Sequence, residues 1–274
     1  MNTLDRFLKI LLVLSVILLV LSYFQKNKLP QQGEIKPELM QDPLQTPTSK
    51  KPFEYSQKNV TYTITPQYDY SLYGLVVSQN DNEVWYSRFK KTDPSNTKDY
   101  CVLWGKNLSS GIYQKMTFKT EEFVCLINYP QNEPRNDAFS MTNLSNNHLL
   151  TADENVYKAI RSASVGDQIH LKGYLINYQS VGDDGKKMSR GTSIVRVDTG
   201  EGACETIYVE QFEIIQKGNI LWWSIYKISP YAVAVLSFLI IILFIISTII
   251  SSRSKPSKLK DMPNRDILLP KNLQ

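Results

Sequence analysis

The chain contains 274 residues, 42% of them hydrophobic, and its formal net charge is +5. The charge comes from the two ends. Residues 1–9 and 251–274 together include eight basic and three acidic side chains, whereas residues 10–250 include 23 of each. Because a nucleic-acid-binding domain needs a basic face to neutralise phosphates, we expect no nucleic-acid partner.

The first apolar run covers residues 7–24. A helix of this length just crosses a hydrocarbon core about 30 Å thick. A cleaved signal peptide is the alternative, but its small-residue cleavage site is weak, because Val20 and Ser22 are followed by two aromatic residues. We therefore predict an uncleaved transmembrane helix, with residues 1–6 in the cytoplasm.

Residues 25–57 contain several prolines and few apolar side chains. The prolines are Pro30, Pro37, Pro43, Pro47 and Pro52. This composition favours an extended or disordered segment. We therefore predict a flexible linker that reaches roughly 30 Å on average.

The pattern of residues 58–216 predicts one mainly β domain, a β-barrel or OB-like fold with one short helix, outside the cytoplasm. Thr151 and Glu154 have the spacing of a capping box, which predicts a helix from Thr151 to about Ala163. Alternating segments rich in β-forming residues predict strands. These segments are 60–64, 72–77, 83–89, 100–104, 112–118, 123–127, 168–178, 193–197 and 206–215.

One phrase in this domain is Val165-Gly-Asp-Gln-Ile-His-Leu-Lys-Gly-Tyr-Leu-Ile176. It resembles the first long strand of OB-like barrels, where a glycine within the strand, here Gly173, allows the bend that a barrel needs. The order of Ser145-Asn-Asn-His148, the helix, this strand and residues 198–205 looks like that of bacterial membrane-anchored proteins of unknown function. The resemblance implies an extracytoplasmic location and no particular activity.

The three cysteines all lie in this domain, at Cys101, Cys125 and Cys204. An oxidising compartment pairs two of them. Cys101 with Cys125 is the first choice, because both lie on predicted strands close in sequence. The pairs of Cys204 with either of the other two cysteines stay open.

A catalytic reading uses Cys204 as a nucleophile, His148 as its base and Asp198 to orient the base, since such triads are assembled in space rather than in sequence. His148 follows a polar run at 143–147 and is predicted in a loop. We predict no metal site, because the chain has two histidines and no Cys-x-x-Cys. No cofactor is expected either, because the chain lacks a Walker loop and a dinucleotide fingerprint.

A binding reading places a recognition surface at five residues of the same region. They are Asn147, His148, Arg196, Asp198 and Glu205. Arg196 interrupts an apolar segment, and Asp198 begins a Gly-rich one. A structural ion pair of Arg196 with Asp198 or Glu205 is the alternative explanation.

The second apolar run, 228–250, follows a juxtamembrane segment at 217–227 that is rich in Trp and Tyr, as is typical of a membrane interface. The tail, 251–274, begins with four basic residues within ten positions. The positive-inside rule places this tail in the cytoplasm, and two spans then place the N-terminus there too. We predict a bacterial inner-membrane protein with a periplasmic domain.

Taken together, the sequence favours a non-enzymatic binding or scaffold protein, an accessory subunit of an inner-membrane or envelope complex with a protein partner. Two alternatives stay open. One is an envelope cysteine-dependent enzyme that uses Cys204 and His148. The other is a ligand sensor that signals through the second helix.

Overall fold

The computed structural model describes residues 3–83, 93–121, 124–129, 139–182, 185–197 and 203–253. The chain forms two compact units, one of residues 1–20 with 225–274 and one of residues 21–224. Helix α1 spans Thr3–Gln25 and the last helix, which we name α4, spans Ile220–Arg253. Both are long and apolar enough to cross a membrane, which confirms the two predicted apolar helices.

The last helix is longer than its apolar run. It begins at Ile220, so most of the predicted juxtamembrane segment is already helical. Pro230 lies inside this helix. One residue before it, Ser229 Oγ donates to the Ile225 carbonyl at 2.6 Å, one turn earlier. Side chains of this kind satisfy backbone groups in apolar helices.

The unit of residues 21–224 is mostly β-sheet, as predicted. Its described residues form strands β1 Leu44–Pro47, β2 Phe53–Gln57, β3 Val60–Asp81, β4 Asn96–Leu103, β5 Thr117–Glu121, β6 Val124–Asn128, β7 Leu144–Leu150, β8 Gln168–Gly182, β9 Lys187–Arg190 and β10 Glu205–Gln216. The short helices are α2 Lys106–Ser109 and α3 Glu154–Ser162. One large sheet and a separate β5–β6 hairpin result.

Five strands of the large sheet form a closed ring of pairings. Strand β3 pairs with β4, β4 with β7, β7 with β10, β10 with β8, and β8 with β3 again. The β7–β10 pair is parallel and the other four are antiparallel. Strands β1 and β2 pair with β3, and β9 pairs with β8.

The main apolar core lies within this ring. Each ring strand contributes buried side chains to it, among them Leu72, Val102, Leu149, Leu171 and Ile207. Helix α3 adds Ile160 to the same cluster. The ring strands therefore present alternate side chains to a shared interior, as the period of two in a strand requires.

The start of α3 differs in detail from the predicted capping box. Asp153, rather than Thr151, is the N-cap, and its carboxylate accepts hydrogen bonds from the N–H groups of Asn155 and Val156 at 2.7 and 2.9 Å. Thr151 Oγ instead accepts from Asp153 N at 3.2 Å. An aspartate at this position also complements the helix dipole. The predicted end of the helix near Ala163 agrees with its C-cap.

The predicted flexible linker at 25–57 is wrong. The segment contains two short 3-10 helices, Gln32–Glu34 and Pro37–Met40, followed by β1 and β2. Leu39 is fully buried, and its carbonyl accepts from Gly105 N at 2.8 Å.

The prolines of this segment are compatible with an ordered structure. Pro37 starts a 3-10 helix, where a missing N–H costs nothing. Pro47 ends β1, and prolines are tolerated in edge strands. A few well-placed apolar side chains, chiefly Ile35 and Leu39, therefore fix a segment whose average composition predicts disorder.

Three further predictions on strands are corrected. Residues 112–115 form a 3-10 helix instead of a strand, and β5 begins only at Thr117. The polar run that ends at His148 is not a loop but belongs to β7, in the middle of the sheet. Residues 193–197 form no regular strand. The predicted strand at 83–89 falls almost entirely outside the described residues.

Candidate functional site

Strands β7 and β10 position most of the predicted site residues. They run parallel, with Asn147 beside Glu205 and His148 beside Thr206. Since successive side chains of a strand point to opposite faces, the predicted residues divide into two clusters. The inner cluster contains Asn147, Arg196 and Glu205. The outer cluster contains His148 and Cys204. Asp198 lies outside the described residues.

The outer cluster contains a buried pair of His148 and Asp99. Asp99 lies opposite His148 on the neighbouring strand β4. The His148 Nδ1 atom is 2.7 Å from Asp99 Oδ1, and each side chain is only 2% exposed. Cys204 lies within hydrogen-bonding reach of His148 and accepts a hydrogen bond from Asn146 Nδ2 at 3.5 Å.

Electrostatics keep this pair ionised at neutral pH. Burial lowers the pKa of His148, but the Asp99 carboxylate outweighs burial and raises that pKa from 6.5 to about 9. Burial likewise raises the pKa of Asp99, but His148 more than compensates, so the net change is downward. The half-buried Cys204 lies beside this pair. The cluster therefore has the order of nucleophile, base and orienting carboxylate.

The orienting role assigned to Asp198 does not hold for Nδ1 of His148, because Asp99 occupies that position. Sequence reasoning missed Asp99. The available sign was a carboxylate that alternates with Cys101 and Leu103 on one face of a strand. Its partner lies 49 residues away, and the register that joins them is not visible in the sequence.

The inner cluster is built around Arg196. Its guanidinium forms an ion pair with Glu205 and donates to Gln45 Oε1 at 2.9 Å. It also lies 5.2 Å from the centroid of the Tyr70 ring and 5.8 Å from that of Trp104. The ion pair that the sequence allowed as an alternative is thus present, and cation–π contacts reinforce it.

Asn147 lies beside this pair and is fully buried. Its Nδ2 donates to the Tyr100 carbonyl at 3.1 Å and to Ser145 Oγ at 2.7 Å. Among the residues that the structure describes, no hydrogen-bond donor reaches its Oδ1. Asn147 therefore holds β4 and β7 together behind the Arg196–Glu205 pair.

An apolar rim flanks Arg196 along the chain and on β1. We use this name for Leu44, Ile194, Val195 and Val197, all of which are exposed, Val197 by 80%. Gln45 connects the two parts of the rim, because its Nε2 donates to the Ile194 carbonyl at 2.9 Å while its Oε1 accepts from Arg196. Gln45 thus links a fixed arginine to two chain segments that expose aliphatic side chains.

No protein-family model, curated protein or solved structure matches this chain. A function can therefore be inferred only from the geometry of the described residues, including the two clusters on β7 and β10. Among the described residues, no group of three or more His, Cys, Asp or Glu side chains is arranged to hold a metal ion.

The first-choice cysteine pair is confirmed. Cys101 and Cys125 lie at disulfide distance, with their Cα atoms 5.8 Å apart. The bond joins the β5–β6 hairpin to β4 of the ring. Cys204 follows the register of β10, which places it opposite Asn146, and Asn146 lies opposite Cys101. Two strand spacings, roughly 10 Å, separate Cys204 from Cys101, which is too far for a bond.

Proposed function

We propose that this chain is a non-enzymatic, membrane-anchored binding protein, an accessory subunit of an envelope complex. In this proposal, α1 and α4 cross the bacterial inner membrane with both termini in the cytoplasm. The unit between them is an OB-type barrel in the periplasm. The barrel holds a protein partner at the apolar rim.

The order of the ring supports an OB-type barrel. In chain order the five ring strands are β3, β4, β7, β8 and β10, and they pair as first, second, third, fifth, fourth and first again. The third and fifth are parallel, and α3 lies between the third and fourth. A five-stranded Greek-key ring is the architecture of OB folds. The glycine phrase at 165–176 lies mostly in the fourth ring strand, so its resemblance to the first strand of OB-like barrels is wrong in position and adds no support.

Charge and redox chemistry support the location. Four basic residues lie at the end of α4 and in the tail after it, namely Arg253, Lys255, Lys258 and Lys260. Basic residues next to a span favour the cytoplasmic side. A domain between two spans then lies on the opposite side. The Cys101–Cys125 pair fits this assignment, because disulfides persist in oxidising compartments such as the periplasm.

The apolar rim is the observation that carries the binding function. Three of its four residues lie on the connection between the fourth and fifth ring strands, one of the connections that OB folds use to bind ligands, and the fourth, Leu44, lies on β1. Exposed aliphatic side chains around a fixed arginine, with Trp and Tyr beneath it, resemble the anchor regions of protein interfaces. The domain has no excess of basic residues, so a protein partner fits better than a nucleic acid.

The double substitution Val195→Asp/Val197→Asp is expected to remove the partner. Two carboxylates in the rim would have to be desolvated in the complex, which costs several kcal/mol. We expect at least a tenfold lower yield of the co-purified partner, roughly 1.4 kcal/mol or more. The measurement is quantitative mass spectrometry after purification of the full-length chain from native membranes in mild detergent.

Val181→Asp is the matched control, because Val181 is also exposed but lies on β8, away from the rim. It should leave the partner yield unchanged. A chain that purifies alone, or a partner that is retained equally by the rim variant, would contradict the binding function.

The outer cluster supports a second candidate, an envelope enzyme with Cys204 as nucleophile. The supporting observation is the 2.7 Å contact of His148 with Asp99, next to the half-buried thiol of Cys204. In such an enzyme the thiolate attacks an acyl carbon and His148 gives its proton to the leaving group. Asp99 holds the imidazole in place.

Alkylation of Cys204 tests this candidate. At pH 7 the native thiol is expected to react with iodoacetamide at least about tenfold faster than the thiol of the urea-unfolded, non-reduced chain, because a catalytic nucleophile is activated by the base beside it. Peptide mapping follows the modification of Cys204, and Cys204→Ser serves as the blank. A native thiol that reacts more slowly than the unfolded one would eliminate the enzyme.

A further inference from the structure

A groove of about 580 Å³ lies on the unit of residues 21–224, away from both clusters. One wall is the segment that follows α1, with Lys26, Lys28 and Leu29. The opposite wall is β5 and the turn before it, with Phe118 and Lys119. The volume is in the range of sites for small molecules.

The groove has a strongly one-sided charge. Three lysines line it, and none of the described residues that line it is acidic. Lys119 also contacts Glu121, but this pair is exposed and contributes little energy. Apolar side chains, among them Leu29 and Phe118, lie beside the lysines. The groove therefore combines positive charge with an apolar surface, which suits an anionic amphiphile.

The chain brings this groove to the ends of the two apolar helices. Lys26 follows the last residue of α1, and Trp223 lies in the first turn of α4. The Lys26 ammonium lies 4.6 Å from the Trp223 ring and 5.4 Å from the Tyr23 ring. Tryptophan, tyrosine and lysine at the end of an apolar helix are typical of the headgroup region of a membrane.

The walls of the groove are fixed by hydrogen bonds. Tyr113 Oη donates to the Pro30 carbonyl at 2.8 Å, which holds the segment after α1 against the turn before β5. Ser78 Oγ and Thr120 Oγ1 lie 2.6 Å apart and join β5 to β3. Thr120 pairs with Cys125, so the disulfide also supports this wall. A ligand therefore meets a site that is already formed.

We propose that this groove binds the phosphate-bearing headgroup of an anionic phospholipid from the membrane that α1 and α4 enter. Lys26, Lys28 and Lys119 neutralise the phosphate, while Leu29 and Phe118 contact the glycerol and the first acyl carbons. This inference goes beyond partner binding at the rim. It uses a different face of the domain and takes from the proposed function only the presence of a membrane.

The test is native mass spectrometry of the full-length chain in a neutral detergent with added short-chain phosphatidylglycerol. Short-chain phosphatidylcholine, which is zwitterionic, is the reference lipid. We expect tighter binding of phosphatidylglycerol, and a loss on the order of twentyfold in Lys28→Gln/Lys119→Gln, because each lysine near an anionic headgroup contributes about a fivefold factor. The control Lys50→Gln/Lys172→Gln changes two lysines outside the groove and should bind like the unmodified chain.

Equal affinity for the two lipids would overturn the proposal, as would equal losses in the two double variants. Inorganic phosphate that binds as tightly as the lipid would overturn the lipid assignment. None of these three results bears on the rim, because partner yield is measured separately with Val195→Asp/Val197→Asp. The lipid site and the partner site can thus fail independently.

Discussion

Gly173→Ala is expected to lower the free energy of unfolding of the β domain by about 3 kcal/mol or more. A Cβ atom at this position would lie 1.9 Å from the Tyr208 carbonyl oxygen and 3.0 Å from its carbon. Both are backbone atoms of β10, so no side-chain rotation relieves the clash. Relief would require β8 and β10 to separate where Gly173 pairs with Val209.

The measurement is urea unfolding of the full-length chain in mild detergent, followed by circular dichroism. Gly33→Ala is the control, because nothing lies within 4 Å of the added Cβ, and it should unfold at the midpoint of the unmodified chain. A Gly173→Ala midpoint equal to that of Gly33→Ala would show that β8 and β10 do not approach each other this closely.

Gly173 also illustrates what the sequence reveals. Alternating apolar residues from Gln168 onward predict β8, and the glycine within them predicts a bend, because both are local properties of one segment. The apolar helices and the end of α3 near Ala163 are local in the same sense. Length, hydropathy and capping chemistry within about 25 residues suffice to predict them.

The outer cluster could not be predicted in the same way. Its central contact joins His148 of β7 to Asp99 of β4, 49 residues apart, and depends on a register that only the closed sheet determines. The polarity of residues 143–147 predicts a loop, yet β7 is a central strand. Polar side chains of β7 bond to groups on neighbouring strands, as Asn147 Nδ2 does to the Tyr100 carbonyl. Tertiary context here overrides the local pattern.

The prediction of a flexible linker at 25–57 is wrong for a related reason. Its average composition predicts disorder, but stability depends on where the few apolar groups lie. Leu39 packs with Ile35 in an apolar cluster separate from the main core. Trp104 Nε1 donates to Asp42 Oδ1 at 3.0 Å. The average composition of a segment does not reveal single contacts of this kind.

Stability is expected to fall by about 2 kcal/mol between pH 6.5 and 8 because of His148. The pKa of His148 rises from 6.5 to about 9 in the folded protein. Its charged form therefore stabilises the fold fully below pH 6.5, and this contribution is lost as the pH rises through 9. Above pH 8 Lys98 opposes the trend, because burial lowers its pKa to about 8 and the folded state then binds fewer protons than the unfolded state. The informative window is therefore pH 6.5 to 8.

Urea midpoints at pH 6.5, 7.2 and 8, measured in a Cys204→Ser background to remove the thiol beside His148, check this expectation. Asp99→Ala should destabilise the fold at pH 6.5 by about 3–5 kcal/mol, because it leaves His148 buried without its carboxylate, and should abolish the fall with pH. His170→Gln is the control, since His170 is half-buried, stacks on Tyr73 and lies far from Asp99 in the sheet order. A profile that stays flat in the parent chain would mean that His148 is neutral in the folded state. The contact with Asp99 would then be a hydrogen bond without an ion pair. The protonated His148 that the candidate enzyme requires would be absent.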